Sequence, residues 1–206
     1  SDVLVDMLDA TSDPRLPVYA GVNDGGIYRG KPAGLRNLPS DDYNYTNVSP
    51  IGAMYVEAEL PGYWMTYPQL QFLMAEAAKK GLISGGDAAA ANYYQAGIMG
   101  SMAQNGISGA AVATYMNRVP YNPNNALELI ATQEWLALFC RGFEAWTEQR
   151  RTGFPALTPA LEGNINEIPS RYAYPATEQS LNTASYNAAV GVQGADLLTT
   201  KMWWNK

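Results

Sequence analysis

The stretch "ATQEWLALFCRGFEAWTEQRRTGFP" occupies residues 131–155 and decides how the middle of this chain folds. It holds closely spaced aromatic residues and three arginines, and it closes with Gly153 and Pro155, which favour the end of a helix. Working outward, we predict one helix over about 125–149, because apolar residues recur there at helical spacing. Gly142 lies inside that range and predicts a joint in the helix.

Three further helices are predicted upstream, because apolar residues recur at positions i, i+3, i+4 and i+7. A capping box at Thr66 begins the first helix, and Gly81 ends it. Asp87 is the predicted cap of the second helix, which runs to about Asn105, and Ser108 is the predicted cap of the third. The predicted buried faces are, in order of the four helices, Leu70, Leu73, Met74 and Ala77; Tyr94, Ile98 and Met102; Val112, Tyr115, Met116 and Val119; and Leu127, Ala131, Trp135 and Leu138.

The chain divides into three segments, and together they predict a mainly α fold. Residues 1–65 are rich in turn-forming residues and are expected to form ordered loop with at most short strands. Residues 66–152 form the helical core, whose short connections favour antiparallel neighbours. Residues 153–206 contain four prolines that exclude a long helix, and only 182–191 has helical spacing. We expect this tail to wrap around the helices.

The composition restricts the classes of function. Apolar residues make up 47% of the chain, with five Trp and fourteen Tyr, which indicates a globular protein. The net charge of −6 argues against a nucleic-acid partner, because phosphates would be repelled. The absence of His and the single Cys remove the usual zinc ligands and the usual base of a catalytic triad. We therefore expect no cofactor and no metal.

Cys140 is the one cysteine of the chain, so no internal disulfide can form. It ends the apolar run "WLALFC", and free cysteines in such runs are usually buried. We expect an inert, buried thiol. No stretch approaches the roughly 20 apolar residues that a membrane span needs, and the N-terminus lacks the pattern of a signal peptide.

Several strings in this order resemble the SusD/RagB family of outer-membrane nutrient-binding lipoproteins. Similarity covers nearly the whole chain. It is carried by "SDPRLPVYA" (12–20), "MTYPQLQFLMAEAAKKGLI" (65–83), "ANYYQAGIMGSM" (91–102), the stretch at 131–155, "IPSRYAYPATEQSLN" (168–182) and "LLTTKMWWNK" (197–206).

The resemblance implies a SusD-like fold with tetratricopeptide-like helix pairs. Family members are typically more than twice this long and begin with a lipid-anchored cysteine, so we expect this chain to be the C-terminal part of a SusD-like domain. The remaining N-terminal part would then be a partner and would carry the anchor at the cell surface of the outer membrane. The implied function is non-catalytic capture of an oligosaccharide or other nutrient for a TonB-dependent, SusC-like transporter.

Candidate ligand-binding residues lie in loops, where aromatic and polar side chains alternate. Sugar rings stack on aromatic faces while their hydroxyls need directed hydrogen bonds. The loop "SDDYNYTN" (40–47) offers both types, and Tyr28 and Trp64 lie in other loops. The alternative is that these aromatic residues pack the loops onto the helices. The candidates from the loop are Asp42, Tyr43, Asn44 and Tyr45. The same acidic loop would offer oxygen ligands to a calcium ion, but its spacing matches no known calcium loop.

Two rival functions belong to other classes. The first is an all-α glycan hydrolase that uses Glu134 or Glu144 as its acid and Asp41 as its partner, since paired carboxylates cleave glycosidic bonds. The second is a helical-repeat protein-interaction adaptor that binds no small ligand. Turnover abolished by a Glu→Gln change would favour the hydrolase.

The other charged and aromatic candidates have structural interpretations. Glu144 with Arg141, and Glu148 with Arg151, are spaced for helical ion pairs. Glu134 is expected to be partly buried and to need a cation, supplied by one of three arginines. The two terminal tryptophans are interpreted as packing anchors rather than a sugar platform. The arginines considered for Glu134 are Arg150, Arg151 and Arg171, and the tryptophans are Trp203 and Trp204.

Overall fold

A computed structural model describes residues 1–35 and 42–205. The chain separates into two compact units, Ser1–Ala156 and Leu157–Lys206. The described residues form no β-strand, only an isolated antiparallel bridge between Ala20 and Ile51. The predicted mainly α fold is thus confirmed. The first unit contains α1 (Asp2–Ala10), α2 (Leu16–Tyr19), a 3-10 turn (Ala53–Val56), α3 (Tyr67–Lys79), α4 (Gly86–Gln104), α5 (Ala110–Arg118), α6 (Ala126–Ala137) and α7 (Gly142–Thr152); the second contains α8 (Ala176–Leu181) and α9 (Thr183–Gln193).

Helix α3 begins and ends as predicted but buries a different face. The Thr66 side chain accepts a hydrogen bond from the Gln69 amide at 3.4 Å. The predicted face was wrong, because Leu70 is 45% exposed while Phe72 is fully buried. A Cβ atom at Gly97 of α4 would lie only 2.6 Å from the Phe72 ring. The missing side chain at Gly97 lets the two helices meet on the Phe72 side.

The caps of α4 and α5 are glycines rather than the predicted polar side chains. Gly85 precedes α4 with φ 107°, and Gly109 precedes α5 with φ 68°. Asp87 lies inside the first turn of α4, where its carboxylate accepts from Lys79 Nζ at 2.7 Å. Neither Asp87 nor Ser108 is therefore a cap. The left-handed backbone at each glycine turns the chain sharply, which removes the geometry of a side-chain cap.

The fourth predicted helix is two helices, α6 and α7, and the joint near Gly142 is confirmed. Cys140 lies in this joint with φ 61° and is exposed, so the prediction of a buried thiol was wrong. The apolar run ends where α6 ends, and the left-handed residue turns its side chain away from the core. Gly153, with φ 80°, ends α7 after Arg150 and Arg151 as predicted.

The N-terminal segment is more helical than its composition predicts. Residues 1–65 were expected to be loop, yet α1 is a nine-residue helix with the Ser1 side chain as its cap. Val5 and Leu8 of α1 are buried. Nine residues are too few for a stable isolated helix in water, so α1 depends on this burial.

Two apolar cores hold the first unit together. The larger one joins α3, α4, α5 and α6, and it confirms the faces predicted for α4 and α5. The smaller one joins α1, α2 and the end of α6. The buried members are Phe72, Ala75, Tyr94, Ile98, Met102, Tyr115, Ala126, Ile130 and Ala137 in the larger core, and Val5, Leu8, Leu16, Tyr19, Ala20 and Leu136 in the smaller.

A buried polar network ties α2 to the larger core. Arg15 is fully buried and pairs with Asp13 at 2.6 Å. The same guanidinium donates to Ser101 at 3.0 Å, Tyr115 at 3.1 Å and Gln133 at 2.9 Å. Burial raises the pKa of Tyr115 to about 12, so its hydroxyl stays neutral. We call these five residues the Arg15 cluster.

The second unit has its own small polar core. Arg171 and Asp196, both 6% exposed at the side chain, pair at 3.0 Å. Tyr174 and Tyr186 pack edge to face with ring centroids 5.9 Å apart. Trp203 is 78% exposed, so its interpretation as a packing anchor was wrong. The expectation that residues 153–206 wrap around the helices stays a prediction, as does the division at residues 65 and 152.

Candidate functional site

The candidate ligand-binding loop is anchored at both ends to a buried residue. Tyr19 is 2% exposed and stacks on Phe139 at 4.1 Å between ring centroids. From Tyr19 the chain leaves and returns as two paired segments, 19–29 and 46–52. Backbone hydrogen bonds join them from Gly52 to Tyr19 at 2.9 Å, from Gly21 to Pro50 at 2.9 Å, from Ser49 to Arg29 at 2.8 Å and from Asp24 to Thr46 at 3.1 Å.

Two asparagine side chains shape the tip of this loop. Asn23 accepts from the amides of Gly25 and Ile27, and its own amide group donates to the Asn47 carbonyl at 3.0 Å. The Asn44 side-chain oxygen accepts from the amides of Thr46 and Asn47. These are turns in which a side chain replaces a backbone acceptor. The candidate Asn44 therefore already uses its oxygen to hold the loop.

The other candidates of the loop face solvent to different extents. Tyr45 is 85% exposed, and Asp42 is also exposed. Tyr43 is half-buried and lies under the Arg29 guanidinium, 4.9 Å from its ring centroid. Tyr28 packs partly against the smaller core. The structure thus brings Asp42, Tyr43 and Tyr45 together on one anchored loop and gives Tyr28 a largely structural position.

Trp64 lies beside a different element. It is 97% exposed, and its carbonyl accepts from Arg141 Nη2 at 2.7 Å. Arg141 also donates to Gln69 of α3 at 2.8 Å. The tryptophan is therefore held at the entrance to α3 by the joint that precedes α7.

A surface groove that the sequence did not indicate lies between α3 and α4, with a volume of about 480 Å³. Tyr67, 60% exposed, and Met99, 47% exposed, contribute to its lining. Gly100 makes room for the tyrosine, since a Cβ there would lie 2.8 Å from the ring. The sequence offered little indication of this groove, because Tyr67 and Met99, which line it, lie far apart in the chain.

The carboxylates of the rival hydrolase occupy unequal environments. Glu144 is exposed and 3.9 Å from Arg141, and Glu148 pairs with Arg151 at 2.8 Å, so both predicted pairs are present. Asp41 lies outside the described residues. The described residues contain no cluster of three or more His, Cys, Asp or Glu side chains that would hold a metal.

Glu134 is buried more deeply than predicted, at 2% exposed, and it has no cationic partner among the described side chains. The three arginines considered for it are engaged elsewhere. Arg151 binds Glu76 and Glu148, Arg171 binds Asp196, and Arg150 lies over the Trp146 ring. Burial, followed by repulsion from the Glu148 carboxylate, raises the pKa of Glu134 to about 8.

No described helix is both long and apolar enough to cross a membrane. No curated protein matches the chain significantly. Solved structures do match. A SusD homologue from Bacteroides vulgatus superposes with a TM-score of 0.85 at 25% identity, over 100% of this chain and 49% of the other. A chitin-binding SusD homologue from Flavobacterium johnsoniae gives 0.82 at 28%, over 97% and 48%. A SusD homologue from Bacteroides fragilis gives 0.82 at 26%, over 100% and 52%.

The chain thus spans about half the length of the structures it matches. A family model described as "Starch-binding associating with outer membrane" matches residues 1–175, most of the chain. This match agrees with the resemblance inferred from the sequence and with the helical fold. The chain therefore belongs to the SusD-like family.

Proposed function

We propose that this protein is a non-catalytic glycan-binding component of an outer-membrane uptake system, which passes its ligand to a TonB-dependent, SusC-like transporter. Two findings support the glycan class. The family is described as starch-binding and associated with the outer membrane, and solved neighbours at 27% and 28% identity are described as chitin-binding.

The observation that carries the proposal is the anchored loop with Tyr45 at its tip. An exposed tyrosine offers a flat apolar face for a sugar ring and a hydroxyl for hydrogen bonding. Asp42 and Tyr43 lie within three residues of Tyr45 in the chain, and the Arg29 guanidinium lies over the Tyr43 ring. Backbone hydrogen bonds hold the two described arms of the loop, 19–29 and 46–52, in place before a ligand binds, which favours affinity.

The carboxylates support a binding role over a hydrolytic one. Cleavage of a glycosidic bond needs an acid that can reach the leaving oxygen and a second carboxylate opposite to it. Glu134 is only 2% exposed, and Glu148 is bound by Arg151. Glu144 reaches solvent but has Arg141 as its neighbour. Loss of turnover on Glu134→Gln would be the finding that favours the hydrolase.

The test is binding of soluble starch and chitin oligosaccharides by calorimetry to the wild type and to the double variant Tyr43→Ala/Tyr45→Ala. An aromatic contact contributes about 0.5–1.5 kcal/mol, so we expect the double variant to bind roughly 5- to 150-fold more weakly. The matched control is Tyr172→Ala, which removes another exposed tyrosine, in the second unit.

If Tyr172→Ala weakened oligosaccharide binding equally, the loss of affinity could not be assigned to the loop. Unchanged affinity in the double variant would move the site away from the loop, and Trp64→Ala and Tyr67→Ala would then test the entrance to α3 and its groove. The transporter and the cell-surface location are tested separately, by asking whether the tagged protein copurifies with a barrel transporter from detergent-extracted outer membranes. Its recovery without such a partner would contradict that part of the proposal.

A further inference from the structure

A small pocket of about 220 Å³ lies among α3, α6 and α7, and its lining combines carboxyl groups with apolar walls. No lysine or arginine is among the described residues that line it. Such a surface suits a ligand that is cationic at one end and apolar at the other. The carboxyl groups belong to Glu134, Glu144 and Glu148, and the apolar walls to Leu73, Leu138 and Phe143.

The three carboxyl groups are not equally available. Glu148 accepts hydrogen bonds from Arg151 at 2.8–3.0 Å, and Glu144 stands 3.9 Å from Arg141. Glu134 is 2% exposed, and its Oε2 atom has no hydrogen-bond partner. A buried polar atom without a partner destabilises the protein, more so if charged, and a donor that reaches it from the pocket recovers that free energy.

We propose that this pocket binds a primary ammonium group carried on a short apolar stem. An ammonium group has three donors and no acceptor, which matches a lining whose ionisable groups are all acceptors when ionised. Leu73 and Leu138 contact the stem. Phe143, which is 71% exposed, adds an aromatic ring to the apolar lining on the solvent side.

The charged groups around Glu134 set the pH range of binding. Glu76 faces it from α3 and Glu148 from α7, and both repel its charge, whereas Arg151 from α7 and Arg141 from the joint attract it. With a pKa of about 8, Glu134 is neutral at pH 6 and mostly ionised at pH 9. An alkylamine stays protonated up to about pH 10. Binding is therefore strongest between about pH 8 and 10.

The experiment is calorimetric titration of the intact protein with propylammonium chloride, with 1-propanol as the neutral molecule of the same shape. We expect saturable binding of propylammonium that tightens roughly 10- to 100-fold from pH 6 to pH 9, as the ionised fraction of Glu134 rises. Equal binding of 1-propanol, or no saturable binding of propylammonium at pH 9, would overturn the proposal.

Two variants assign the effect to one side chain. Glu134→Gln keeps the shape and removes the charge, so the rise in affinity with pH should disappear. Glu144→Gln changes the exposed carboxylate of the same pocket and should keep that rise. An unaltered pH profile in Glu134→Gln would overturn the proposal, provided that the variant's circular dichroism matches the wild type.

A second measurement needs no variant. In a sample with labelled glutamate, the carboxyl carbon resonance of Glu134 reports its titration, and bound propylammonium should lower that pKa by at least one unit. A titration that does not move would contradict the proposal. Glucosamine and Nα-acetyl-lysine amide, with glucose and Nα,Nε-diacetyl-lysine amide as neutral counterparts, then distinguish an amino sugar from a peptide side chain as the source of the ammonium group.

Discussion

Two buried groups of charged residues lie within the same helical unit, and they are built differently. The Arg15 cluster gives its one cation a carboxylate, two hydroxyls and an amide oxygen, and both Arg15 and Asp13 are shielded from solvent at the side chain. The second group consists of Glu134, Glu76 and Glu148 with one arginine, Arg151, which pairs with Glu76 and Glu148. Glu134 remains without a hydrogen bond to Oε2.

The difference shows what burial of charge can accomplish. Where every donor and acceptor is paired, a buried ion fixes the relative positions of distant segments, since any slip would leave a charge unpaired. Where a buried ionisable side chain has no partner, its pKa shifts toward the neutral form, and the side chain stays available to bind a ligand or a proton. The first arrangement is suited to a scaffold and the second to a site.

The largest effect is expected from breaking the paired cluster. Arg15→Met removes the cation and leaves the Asp13 carboxylate buried with the backbone amide of residue 15 as its remaining donor. Breaking a buried ion pair in this way typically costs about 3–5 kcal/mol. Urea unfolding should show this loss in the free energy of unfolding. Arg118→Ala is the matched control, because Arg118 is exposed and donates only to backbone carbonyls of Thr11 and Ser12. Comparable losses in both variants would show that the buried pairing has no special role.

Removing the charge of the unpaired Glu134 should stabilise the protein, whereas removing that of Arg15 should destabilise it. The pKa of Glu134 is raised from 4.5 to about 8, so its contribution to stability is fully present below pH 4.5 and is lost as the pH rises through 8. Glu134→Gln removes this loss and should stabilise the protein by roughly 2–4 kcal/mol at pH 8, with little effect near pH 4.5. Thermal unfolding at the two pH values measures it. A variant less stable than wild type at both would show that Glu134 is satisfied.

A smaller loss is expected when a single hydroxyl is removed from the Arg15 cluster. Tyr115→Phe keeps the ring in the core and deletes the hydroxyl that contacts Arg15 at 3.1 Å and Gln133 at 2.7 Å. Two buried donors then lose an acceptor, and we expect a loss of about 1–2 kcal/mol in chemical unfolding. Tyr121→Phe is the control, since its hydroxyl bonds to exposed Asp87. Stability equal to wild type in Tyr115→Phe would mean that the Arg15 cluster tolerates an open position.

The smallest effect is expected away from both groups. Trp203 is 78% exposed, so Trp203→Ala should change the free energy of unfolding by less than about 0.5 kcal/mol. Differential scanning calorimetry provides the measurement. A loss of about 3–5 kcal/mol, typical of a core tryptophan, would restore the interpretation of Trp203 as a packing anchor.

Much of the helical core could be predicted from local pattern. The capping residue Thr66, the faces of α4 and α5, the joint near Gly142 and the stop at Gly153 all depend on neighbours within a few positions. Helix α1 was missed because its few apolar residues gain their free energy from α2 and α6. The buried face of α3 was misjudged because it is decided by Gly97 on another helix.

The site could be predicted only in part. Alternating aromatic and polar residues indicated the loop that carries Tyr43 and Tyr45, and the structure shows it anchored on both arms. The position of Trp64 beside Arg141 could not be read from spacing, because 77 residues separate the two.

By itself the sequence determined the helices of the core between residues 66 and 152, the family and the loop in which aromatic and polar residues alternate, because each of these depends on residues close together in the chain. Only the tertiary structure decided that Cys140 is exposed, that Arg15 is fully paired and that Glu134 is not. Arg15 meets Gln133 across 118 residues. Pairing and desolvation are properties of such long-range neighbours, and no local pattern contains them.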